Sequence, residues 1–200
     1  MQKNTLKTDS KSYNKVAVWL HWSIGGLIGF LLVVGFLMGN ISKDDTALRF
    51  MVYNWHKTIG MLILVLSIVR LLWKLTHKAP APLPGLKAWE MLMAKSLHAL
   101  FYVFMIGMPL VGWAIISTSS SRSFLFGSPA LPMPELPFWQ DLAEEARKHT
   151  HHLFEDIHKY MAFAAIALIL LHVFAALKHH KAGRDILVRM MPNYTRKSDK

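Results

Sequence analysis

The chain has 200 residues, a formal net charge of +11 and no cysteine. That length holds one domain, and the absence of thiols excludes disulfides, iron–sulfur clusters, zinc–thiolate sites and thioether-linked haem. Hydrophobic residues make up 53% and come in long blocks between charged stretches, so the positive charge fits membrane-flanking segments better than nucleic-acid binding.

Residues 1–15 are polar and carry Lys3, Lys7, Lys11 and Lys15. No small-x-small cleavage pattern follows, so the next apolar block is expected to be a retained span and not a signal peptide. Four blocks approach the roughly 20 apolar residues that cross a bilayer core of about 30 Å. They are 16–38 (VAVWLHWSIGGLIGFLLVVGFLM), 52–73 (VYNWHKTIGMLILVLSIVRLLW), 97–117 (LHALFYVFMIGMPLVGWAIIS) and 157–177 (IHKYMAFAAIALILLHVFAAL). Lipid offers the backbone no hydrogen-bond partners, so each is expected to be a helix.

The first connection, 39–51, is short and polar. The second, 76–95, contains KAPAPLPG, which a helix cannot continue through. The third, 118–156, is the longest, and its portion 139–152 reads as a short surface helix. Pro109 should bend the third span. Residues 16–178 thus form one transmembrane domain, followed by a basic tail over 179–200. Lys and Arg concentrate in the N-terminal segment, the second connection and the tail, which places both termini in the cytoplasm and the third connection outside.

Ionisable groups inside a span are costly and mark function. Four histidines qualify: His21, His56, His158 and His172. His158 and His172 are 14 residues apart, which is roughly 21 Å along a helix and about 40° around it. One helix therefore offers two imidazoles on nearly one face, one near each membrane surface. By depth, His21 matches His172 and His56 matches His158. Two facing imidazoles at one depth suit the two axial positions of a six-coordinate haem held between helices. Gly25 and Gly26 after His21, and Gly60 after His56, would let a macrocycle approach the backbone, and Ala162, Ala164, Ala165 and Ala167 would leave room for it. The expected fold class is all-α: an integral membrane four-helix bundle with two b-type haems.

Other histidines have weaker roles. His77 reads as solvated, and His98 as a competing ligand or a partner for a haem propionate. His149, His151 and His152 form KHTHH, which suits a solvated segment better than a metal site. His179 and His180 belong to the basic tail at the membrane surface. Arg70 reads as a membrane-flanking charge, with neutralisation of a propionate as the alternative.

The early HW, the block NWHKTIGMLILVLSIVRLLWKLTHKAP, the block LHALFYVFMIGMPLVGW and the final DIHKYMAFAAIALILLHVFAALKHH…DILVRMMP together resemble the bacterial cytochrome b561 family. The resemblance covers about Lys15 to Pro192. It implies a four-helix inner-membrane cytochrome with two haem b groups, ligated by the same four histidines in the same pairs. It further implies electron exchange with the quinone pool, ubiquinone among the substrates. Superoxide-oxidising members imply superoxide as donor, for which Lys57, Arg122 and Lys159 are the candidate external cations. The external side is net negative by sequence, which works against a broad attractive field for that anion. Two other readings stay open: an anchor and relay subunit of a hydrogenase or dehydrogenase complex, and a histidine-lined small transporter. Against the transporter, the histidines sit at two discrete depths and the spans contain no carboxylate. Beyond membrane lipid, quinone and superoxide, no nucleic-acid partner is implied.

Overall fold

A computed structural model describes residues 12–81, 85–184 and 186–191. It contains four long helices: α1 (Lys15–Met38), α2 (Thr46–Thr76), α3 (Ala88–Thr118) and α4 (Glu144–Lys181). Each is long and apolar enough to cross a membrane. Side chains fix the starts of the first two helices. Asn14 Oδ1 accepts from the Ala17 amide at 2.8 Å, and Asp45 Oδ1 accepts from the Leu48 amide at 3.1 Å. These satisfy amides that the first turn leaves without intrahelical partners. At α3, Glu90 reaches back to the Lys87 amide at 2.9 Å.

The helices outrun the apolar blocks. α3 begins at Ala88 and not near 97, and α4 begins at Glu144 and not near 157. Hydropathy marks the part of a helix that lipid covers, whereas backbone hydrogen bonding continues into water. The expected surface helix over 139–152 is therefore corrected. Pro137–Trp139 is a 3-10 turn, and residues from Glu144 onward are the first turns of α4. A Glu144–Lys148 contact at 2.7 Å, one turn apart, joins two side chains of this polar start.

Helices pack in chain order: α1 on α2, α2 on α3, α3 on α4. No comparably close packing joins α1 to α4 among the described residues. Most of the few buried apolar side chains, Val18, Ile24, Ile63, Leu64, Ala114 and Ile116, lie on the first three helices, and Met133 lies in the third connection. α4 contributes Ala165, midway between His158 and His172. A small residue there leaves the space between the two imidazole levels to a neighbour other than a large side chain.

The ends of the bundle are closed differently. We call the end that carries the start of α1 and the end of α4 inner and the end that carries the third connection outer. At the inner end the described residues after α4, which belong to the basic tail expected from 179, fold back onto the helices. Trp22 Nε1 donates to the Met190 carbonyl at 2.6 Å, and the Tyr13 amide donates to the Arg189 carbonyl at 3.3 Å. Arg189 donates to the Ala81 carbonyl at 2.7 Å, and Arg184 pairs with Glu90 at 3.2 Å. His179 lies within α4, 3.0 Å from the Arg184 guanidinium. His77 is exposed, and it stacks on Trp73 with ring centres 3.7 Å apart. Lys3, Lys7 and Lys11, the core of the Pro-rich turn at 82–84, and residues 192–200 lie outside the described residues.

Candidate haem site

Two histidine pairs form, in the combinations that depth suggests. His21 of α1 faces His172 of α4 with ring centres 6.1 Å apart and planes at 65°. His56 of α2 faces His158 of α4 with ring centres 6.3 Å apart and planes at 66°. The two sites are thus nearly the same in metric terms, and α4 supplies one ring to each. Two metal–nitrogen bonds of about 2 Å, with about 1 Å from each nitrogen to its ring centre, span about 6 Å. Both pairs therefore have the separation of two imidazoles that share one metal ion.

At the outer pair, glycines of neighbouring helices receive the rings. A Cβ on Gly35 would sit 3.4 Å from His56 Cε1, and one on Gly112 would sit 3.4 Å from His158 Cε1. In both rings it is the Cε1–Nδ1 edge that lies against the glycine. The Met108 carbonyl, one turn before Gly112, is the backbone acceptor beside His158. Neither His56 Nδ1 nor His158 Nδ1 completes a hydrogen bond of ordinary geometry, although both atoms are buried. Burying a polar atom in this way costs about 1–3 kcal/mol, so packing alone gives no reason to place these rings here. Haem fits this donor set: two neutral imidazoles per site, glycine cradles behind the outer pair, and no thiol or carboxylate to compete.

A Cβ on Gly25, Gly26 or Gly60 would meet nothing within 4 Å, so these positions border open space and touch neither ring. The glycines against the imidazoles are Gly35 and Gly112. Both lie towards the outer ends of their helices, at the depth of His56 and His158, and depth matching was the signal that could have found them.

The third connection is latched over the outer pair by buried polar groups. Asn54 Oδ1 accepts from the Phe124 amide at 2.8 Å, and Thr58 Oγ1 accepts from the Phe126 amide at 2.9 Å. Ser117 Oγ accepts from the Leu136 amide at 2.8 Å, and Trp113 Nε1 donates to the Pro134 carbonyl at 2.7 Å. The turn closes with Phe126 and Gly127 in the left-handed region, at φ 55° and 70°. Lys57, next to His56, donates to Ser123 Oγ at 2.7 Å and is largely covered. Arg122 and Lys159 are exposed at the same end. Among the described residues, no group of three or more His, Asp or Glu side chains could hold a metal ion in its own right, the His149, His151 and His152 segment included. His151 contacts Thr118 Oγ1 at 3.1 Å, and His152 contacts Glu155 at 3.0 Å.

The inner pair has different company. Arg70 donates to the Ala17 carbonyl at 3.3 Å and brings its other nitrogen to 3.4 Å from His21 Nδ1. His98 and Phe101, one turn apart on α3, both meet the His172 ring edge-on, at 5.7 and 5.3 Å between centres.

A four-helix bundle with membrane-spanning helices and paired inward histidines defines a class, the integral membrane cytochromes b. The chain belongs to the family described as prokaryotic cytochrome b561, whose profile matches residues 12–193. Members of this family bind b-type haem. The chain is 29% identical to cytochrome b561 homolog 1 of Escherichia coli K12, over 90% of this chain and 97% of that one. It is 24% identical to cytochrome b561 homolog 2 of the same organism, over 90% of each. It is also 30% identical to a protein named probable superoxide oxidase CybB from Yersinia pestis, over 91% of this chain and 97% of that one.

Proposed function

We propose that this membrane cytochrome carries two haem b groups and moves electrons between the two faces of the membrane, with quinone as acceptor and superoxide as donor. The observation that supports it is the pair of matched sites, 6.1 Å and 6.3 Å between ring centres, at opposite ends of α4. His56 and His158 hold the outer haem, and His21 and His172 hold the inner one. Bound haem supplies a one-electron couple at each level, and filled axial positions suit electron transfer over oxygen binding. Both termini face the cytoplasm.

The chain's own residues prepare the outer site for a small anion. Lys57 brings a positive charge beside His56, and its bond to Ser123 orients it under the latched connection. Arg122 and Lys159 extend that charge to the surface, and local cations of this kind raise the capture rate of an anion. Each superoxide gives up one electron and leaves as dioxygen. A quinone takes two electrons and two protons to become quinol, so two superoxide ions are consumed per quinol. The resemblance to the protein named as a probable superoxide oxidase supports this choice of donor.

The test uses the full chain purified in detergent, with ubiquinone and an enzymatic source of superoxide. Superoxide-dependent quinol formation is expected in the wild type and is expected to vanish in His56→Ala. Quinol formation at the same rate in both, or a chain free of haem after haem-replete expression, would contradict the proposal.

A further inference from the structure

Hydrogen bonding at the outer end leaves one polar pair incomplete. Three side chains within about one turn of α2, Asn54, Lys57 and Thr58, reach the same stretch of the third connection, at Ser123, Phe124 and Phe126. Asn54 uses both ends of its amide. Its Oδ1 accepts from the Phe124 amide, and its Nδ2 donates to the Phe50 carbonyl at 2.8 Å. Thr58 is complete as well, since its hydroxyl donates to the Asn54 carbonyl at 2.8 Å while it accepts from the Phe126 amide. Both residues are buried, and buried polar groups are normally satisfied in this way.

Lys57 and Ser123 differ. An ammonium has three donors, and Lys57 gives one, to Ser123 Oγ at 2.7 Å. Ser123 is only 4% exposed, and its own O–H meets no acceptor among the described residues. No Asp or Glu lies within ion-pair distance of Lys57 among the described residues. A lysine near the end of a span ordinarily extends its head to water, whereas this one is half-buried and bonded to a buried hydroxyl. The pair therefore has donors to spare and no acceptor. In a partly desolvated place, hydrogen bonds from such donors to an anion are short and strong. The hydroxyl is held from the backbone, because the Ser123 carbonyl accepts from the Met133 amide at 2.9 Å. Arg122 and Lys159 are exposed, so they draw anions towards this end through screened charge and fix none.

We propose that Lys57 and Ser123 form a binding site for one small monovalent oxyanion, with the ammonium and the hydroxyl both donating to its oxygens. Superoxide is one such anion, and the inference deepens the reading above, on which its choice rests. Formate spreads a single charge over two oxygens and is a stable ligand of the same class. Ser123 is thus a binding residue in its own right.

The test titrates sodium formate into the haem-loaded full chain in detergent, at constant ionic strength with a bulky sulfonate as the balancing anion. Thermal unfolding and the midpoint potentials of both haems are read. In the wild type the melting temperature is expected to rise saturably with formate. The outer potential is expected to fall, because an added anion favours the ferric state, and the inner one to move less. The apparent dissociation constant should rise about tenfold in Ser123→Ala, the loss of one hydrogen bond to a charged group. Both responses should vanish in Lys57→Gln. A wild type that does not respond to formate would overturn the inference, as would an undiminished response in both variants. An outer potential that shifts in Ser123→Ala when the wild type ignores formate would mean that the donors already serve the bound haem, which overturns it too. A formate response without superoxide-dependent quinol formation would leave this site standing and remove superoxide from the proposed function.

Discussion

The outer and inner histidine pairs have nearly the same spacing and tilt, yet their surroundings differ. The outer rings rest on Gly35 and Gly112 beneath a connection that buried Asn54 and Thr58 hold in place. The inner rings meet the long side chain of Arg70 and a third imidazole, His98. The difference shows that a ligand pair is set by two separate things. Helix periodicity brings the rings to one depth, and neighbouring backbone or side chains then decide how tightly each ring is held. On this account the outer rings are seated on backbone, whereas the inner rings are bordered by side chains.

The largest effect should come from filling a cradle. Gly112→Val places branched carbon where His158 Cε1 already lies within 3.4 Å of a Cβ position, so the ring must move. The outer low-spin haem should be lost and the inner one kept, as read from haem content and paramagnetic resonance. Equal loss from both sites would mean that the two are not independently held. Next comes the latch. Asn54→Ala leaves the Phe124 amide without its acceptor, at a cost of about 1–3 kcal/mol. Thermal unfolding in detergent should shift down, and the third connection should become sensitive to protease. An unchanged melting profile would show that the connection is held by other contacts.

A smaller effect is electrostatic. Lys57→Gln removes a cation beside His56, which makes addition of an electron at the outer site less favourable. Redox titration should show the outer midpoint potential falling by on the order of tens of millivolts, with the inner one moving less. Equal shifts would argue against Lys57 acting locally. The smallest is at the inner closure. Trp22→Phe removes the donor to the Met190 carbonyl and should destabilise the chain by about 1 kcal/mol, without loss of either haem.

Much of this was legible in the sequence because it depends on period and depth. Four apolar blocks locate four helices, and the 14-residue interval between His158 and His172 places two rings on one face at opposite membrane levels. The structure keeps both pairings that depth suggests. What was not legible depends on how one helix is turned towards another. Nothing in the spacing of α3 shows that Gly112 receives a ring of α4, or that His98 meets His172, since hydropathy is similar around that helix. The latch was hidden for a related reason. Asn54 and Thr58 look like ordinary polar residues at a span end until the third connection returns over them. The docking of Val188–Met190 against Trp22 and Tyr13 likewise joins residues far apart in the chain, and composition marks that segment only as a basic tail.

The central claim is that α4 carries one ligand for each of two haems. The most direct measurement is haem stoichiometry with a low-spin count in the wild type, His158→Ala, His172→Ala and the double variant. The account predicts two low-spin haems per chain in the wild type, one in each single variant with different sites lost, and none in the double variant. A wild-type chain with a single haem, or two single variants that lose the same haem, would contradict it.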